Sequence, residues 1–254
     1  MPKFELPGSI DNAIENATDE LTKNAGKTLG DIWFLVFGGI SHKADKRRAR
    51  YARDLAAYEQ GLASSIAKIP EERRVEPSLQ ITAQALENSK YCIEEEELRQ
   101  MFIALVSSSM DADLSGDIHP SFAEIIKQMS VLDARIVKKL KISSAPGGLP
   151  VCDYCVSSPE REGYNIVLKN AFLGLPGVSL QACATSISSL ERLGLIQVPP
   201  DVHLANLSRY IPFEQHPQFR LFQGKYPDGR ISLQKKVAML TPLGQSFVKV
   251  CIPD

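Results

Sequence analysis

Between Ser89 and Leu140 the apolar residues keep a helical period, a pattern that packed helices accommodate and strands do not. From Ile93, the residues Leu98, Met101, Phe102, Leu105, Val106 and Met110 recur at the spacing of one buried stripe. Glu94, Glu95 and Glu96, with Glu97, stand at its start, where negative charge meets the positive end of the helix dipole. The following DADLSGD, with Gly116, predicts a turn after Asp111. Pro120 fits the first position of a second helix carrying Phe122, Ile125, Ile126 and Met129, because a missing N–H has no intrahelical partner to lose there. Ser130 with Asp133 has the form of a capping box and predicts a third helix, from Leu132 to Leu140.

The same stretch carries a set of short motifs. They are Ile69-Pro70-Glu71-Glu72, Glu76-Pro77, Ser89-Lys90-Tyr91, Glu94 to Phe102, Ser108-Ser109-Met110-Asp111, His119-Pro120-Ser121-Phe122, Ile125-Ile126-Lys127-Gln128 and Leu132-Asp133-Ala134. In this order they resemble the core signature of the abortive-infection alpha family. The resemblance implies a bacterial protein of defence against phages. It brings no catalytic residue, metal or cofactor, so none is assigned; Glu94, Glu95, Glu96, Asp111, His119 and Pro120 are family-motif positions of either structural or functional value.

The composition is that of an ordinary globular chain, and its net charge of −1 gives no overall pull toward nucleic acid or an anionic membrane. Five irregularly spaced cysteines favour reduced thiols and a cytoplasmic setting. The start, MPKFELPGSIDN, lacks the basic-then-apolar order of a signal peptide, and no apolar run reaches the roughly 18 residues of a membrane-spanning helix.

After Ser9, a candidate N-cap, Ile10, Ala13, Ile14, Ala17, Leu21, Ala25 and Leu29 predict an amphipathic helix. Its AGKT imitates the end of a phosphate-binding loop, but that loop needs a glycine where this chain has Leu21. The most apolar segment, IWFLVFGGI, follows at residues 32–40 and runs into His42, Lys43, Lys46, Arg47, Arg48, Arg50 and Arg53. Three readings stand side by side, one of them a nucleic-acid backbone contact by the clustered cations. Trp33, Phe34 and Phe37 with Lys43, Lys46, Arg47, Arg48 and Arg50 form a peripheral contact for the inner face of a membrane or for a protein partner. Alternatively the aromatics are core and the cations a solvated helix face. A helix from Lys43 to Lys68 ends before Pro70, and Ser78 to Ser89 predicts another.

Composition changes at residues 143–150, SSAPGGLP, which reads as a linker. Beyond it, Ser179 caps a helix through Arg192, Gly194 ends it before a short strand, and Phe219 to Phe222 with Ile231 to Met239 read as a hairpin around Pro227-Asp228-Gly229. Thr241 then caps a last helix. The fold class expected is mainly α: a helical domain at 9–142, a linker or long loop at 143–164, and a winged-helix-like α+β domain at 165–254.

A winged helix raises nucleic-acid binding, yet the helix from Ser179 offers few cations, with Lys225, Arg230, Lys235 and Lys236 on the expected hairpin. Cys152 and Cys155 form half of a zinc motif without a second half. Asp111, Asp113, Ser115 and Gly116 open like a calcium loop whose closing glutamate is Phe122 here. His119 is the candidate for an enzyme reading, without a visible partner. The leading expectation is a non-enzymatic protein that acts by binding a protein partner, itself or a membrane surface; a nucleic-acid-binding regulator and an enzyme are the alternatives.

Overall fold

A computed structural model of the protein describes residues 20–37, 46–142, 147–157 and 162–253; the helix expected after Ser9 lies outside the described residues up to Glu20. In chain order the helices are α1 (Glu20–Phe37), α2 (Lys46–Ala67), α3 (Leu79–Ser89), α4 (Glu96–Ser108), α5 (Ala112–Ser115), α6 (Phe122–Gln128) and α7 (Val131–Ile142). Then come β1 (Leu149–Ser157), β2 (Asn165–Ala171), α8 (Leu180–Arg192), β3 (Ile196–Gln197), α9 (Ile211–Gln215), α10 (Pro217–Lys225), β4 (Arg230–Leu240) and α11 (Pro242–Cys251). The fold is mainly α with one antiparallel sheet. It divides into two compact units, Met1–Val131 with Ser246–Asp254, and Leu132–Gln245, whereas the sequence suggested boundaries at 142 and 165.

In the first unit α4 is the core helix. Leu98, Met101, Phe102, Leu105 and Val106 are all buried, and α2, α3 and α6 pack around them. Full burial of such a side chain stabilises by about 1.5–3 kcal/mol, so this stripe supplies much of the unit's cohesion. The tail of α11 completes the unit: the Phe247 ring meets Phe122 edge-on at 5.2 Å, and the buried Ser108 hydroxyl donates to the Val250 carbonyl at 3.0 Å. Two details differ from expectation. Glu95 is the N-cap of α4 and Glu94 lies in the turn before it, so of the three only Glu96 is inside the helix. Pro120 is not the first residue of α6, which begins at Phe122 after a turn made by His119, Pro120 and Ser121.

In the second unit the sheet order is β2-β1-β4-β3. The stretch expected to be a linker contains β1, an interior strand paired along its length with β4, from Leu149 opposite Ala238 to Ser157 opposite Arg230. The expected hairpin is also corrected. Phe219 to Phe222 lie in α10, which has Pro217 in its first turn and a His216 ring that accepts from the Gln218 N–H at 3.2 Å. Helical spacing turns Phe219 and Phe222 together onto Tyr154, with ring centroids 6.3 and 5.5 Å away. The strand from Ile231 to Met239 is present within β4, but its partners are β1 and β3.

The helix-to-strand junction follows the sequence closely. Ser179 accepts from the Ala182 N–H at 3.2 Å and opens α8, and Gly194 at φ +75° closes it. Thr241 donates to the Gly194 carbonyl at 2.5 Å and accepts from the Gly244 N–H at 2.9 Å, so RLGLI and LTPLG meet. Gly244 is required by that meeting, because a Cβ there would stand 1.9 Å from the Leu195 carbonyl oxygen.

Candidate functional site

The C-terminal half of α1, Ile32-Trp33-Phe34-Leu35-Val36-Phe37, is apolar on every side; against the described residues, Ile32, Trp33 and Phe37 are buried and Phe34 and Leu35 are exposed. Trp33 and Phe37 are buried; their rings lie 4.6 Å apart, and both meet the fully buried Tyr58 of α2, at 5.4 and 6.3 Å. These two residues are therefore core, which corrects their assignment to a contact surface: their place on the helix faces α2. Phe34 and Leu35 point the other way and are 47% and 80% exposed. On the cationic side, Lys43 lies outside the described residues, as do the side chains of Lys46, Arg47 and Arg48. Arg50 is exposed on α2 and stands 4.0 Å from Asp54, a carboxylate that Arg53 and Arg99 also approach, at 3.5 and 3.8 Å. Sequence reading passed over Asp54, Tyr58 and Arg99. The signal was there in Asp54, an acid placed directly after Arg53 in the basic run.

Two of the family-motif residues, Asp111 and His119, make local hydrogen bonds. Asp111 caps α5 through the Asp113 N–H at 3.0 Å and accepts from Arg73 Nε at 3.0 Å and Nη2 at 2.5 Å. That carboxylate raises the Arg73 pKa further above its ordinary value, chiefly by hydrogen bonding. With its oxygens so used, Asp111 has little left for a calcium ion. Exposed His119 accepts the Ser121 N–H on Nδ1 at 3.2 Å and shares a 2.7 Å hydrogen bond with the Ser121 hydroxyl, holding the turn before α6.

In the second unit, Cys152 and Cys155 are both buried in β1. Three positions apart on a strand, their thiols point to opposite faces and do not converge on one metal. Burial pushes the Cys152 thiol up to about 12, and also raises those of Cys92, Cys155, Cys183 and Cys251. Lys236, expected on a wing, is buried and paired with the fully buried Asp153 of β1, whose other oxygen accepts the Asn170 N–H at 2.8 Å. Lys235 is 3.9 Å from Glu214. Two of the four cations offered to a nucleic acid thus face acids. Among the described residues no helix is long and apolar enough to cross a membrane, and no three His, Cys, Asp or Glu side chains gather as a metal site.

The family model for abortive infection alpha matches residues 50–251, which takes in α3 to α11, the whole sheet and most of α2. The chain belongs to that family. Its membership makes this protein one of the abortive-infection defence group. Neither a curated protein nor a solved structure matches the chain. The abortive-infection core therefore begins with the helix that carries Arg50 and Tyr58, while α1, which supplies Trp33 and the exposed Phe34 and Leu35, precedes the matched residues.

Proposed function

We propose that this abortive infection alpha protein defends by binding and not by catalysis, engaging a protein partner or itself and touching the inner face of the membrane peripherally through α1. The observation that supports this most is the second apolar side of α1, where Leu35 is 80% exposed beside the packed Trp33. Apolar surface gains about 25 cal/mol per Å² when it leaves water, and a helix that is apolar all round is covered on all sides when it is at work. Exposed Arg50 and Arg53 on the neighbouring helix add attraction to anionic headgroups. The test is co-sedimentation of the full chain with anionic vesicles at low salt, beside Phe34→Ser with Leu35→Ser. Binding by the parent and its loss in the variant is the expected result. Equal sedimentation of both, or of neither, contradicts the membrane part.

A second reading, nucleic-acid binding by a winged-helix-like domain, has the order of α8, β3, β4 and α11 in its favour, with β3 and β4 antiparallel. It predicts salt-dependent DNA affinity that falls on neutralising Lys225 and Arg230. Affinity indifferent to those changes sinks it.

A further inference from the structure

The outer side of α1 has an order in sequence. Lys23, Lys27, Asp31, Phe34 and Leu35 recur at helical spacing and so share one face of the helix. Asp31, Phe34 and Leu35 on that face are exposed against the described residues, whereas Leu29, Ile32, Trp33 and Phe37 on the other are buried. The face thus runs from cations near the start of α1 to large apolar side chains near its end. The 19 residues directly before α1 lie outside the described residues and carry the counterpart in reverse order. Phe4 and Leu6 come first, then Asp11 and Glu15 beside the apolar stripe of Ile10, Ala13, Ile14 and Ala17.

We propose that this N-terminal segment folds back along α1 as a cover over Phe34 and Leu35, the chain reversing at Thr18-Asp19, residue types that open helices. The lengths agree. Leu35 lies about 22 Å along α1 from Glu20 at the helical rise per residue. A helix over residues 9–17, with Leu6 to Ser9 extended, spans about 23 Å. Run antiparallel to α1, the segment sets Glu15 against Lys23 and Asp11 against Lys27, and brings Phe4 and Leu6 to Phe34 and Leu35. Opposite charges and apolar ends match in one register, which is why the occupant is this chain's own segment. The proposal rests on the membrane reading only for what the face touches once uncovered.

The experiment pairs Leu6→Cys with Leu35→Cys in the full chain, whose native cysteines are all buried, and follows disulfide formation in oxidised glutathione by mass spectrometry. Leu6→Cys with Tyr91→Cys, at an exposed position of the same unit, gives the rate of undirected collision. Cross-linking within one chain about ten-fold faster than in that control is expected, because a seated segment holds its thiol at high effective concentration. Equal rates overturn the cover, and so does a disulfide formed only between two chains, which would make a second copy the occupant. Phosphatidylglycerol vesicles supply the second measurement. Phe4→Ser with Leu6→Ser is expected to bind them about ten-fold more tightly than the parent, since a covered face is available only part of the time. Binding that is unchanged or weaker in that variant overturns the cover. Fast cross-linking in a chain that binds no vesicle in either form supports the cover and contradicts the membrane reading alone.

Discussion

The Asp111 carboxylate accepts from Arg73 and from the Asp113 N–H together, so its removal undoes a cap and a cross-link at one stroke. Asp111→Ala is expected to lower stability by at least the ~1 kcal/mol of a lost N-cap, read from the midpoint of urea unfolding. His119→Ala removes only a turn contact, so phage protection is expected to survive it; loss of protection in a protein that melts normally would restore the enzyme reading. The buried thiols set an alkaline limit. Their folded pKa values are raised above the ordinary 9.0, Cys152 to about 12, so their contribution to stability is complete below pH 9 and is lost as pH climbs toward 12. Thermal melting at stepped pH is expected to fall across that window. Single residues were the least legible level in the sequence. The turn at Asp111 was legible, but its partner Arg73, 38 positions away, was not, and Trp33 stood between core and contact surface because a run apolar on both sides does not say which side packs.

Elements were more legible where two local signals agreed. The α4 stripe and the α8 cap and stop were readable because periodicity and termini pointed to the same helix. Reading failed at β1 and α10. β1 follows a Gly-Pro-rich stretch and is specified by pairing with β4, about 80 residues on. α10 is short, and its Phe219 and Phe222 serve a strand pattern as well as a helical one until Tyr154 is in place. The joint between RLGLI and LTPLG makes a prediction at this scale. Gly244→Ala drives a methyl into the Leu195 carbonyl and is expected to cost about 1–3 kcal/mol, measured by equilibrium unfolding; a neutral substitution would mean that the close approach of α11 to Leu195 is not needed for stability.

For the whole molecule, composition and charge showed no overall electrostatic pull, and the family motifs located the defence class, yet the exposed side of α1 and the arginines around Asp54 became visible only once the chain was folded. The account holds that defence depends on contact made by that outer side. The most direct test is phage challenge of cells carrying the parent protein or Phe34→Ser with Leu35→Ser, with the membrane pellet and the soluble fraction assayed before and after infection. The account predicts that the parent moves to the pellet after infection and protects, while the variant, equally abundant, stays out of the pellet and does not protect. Full protection by a variant that never reaches the pellet would contradict it.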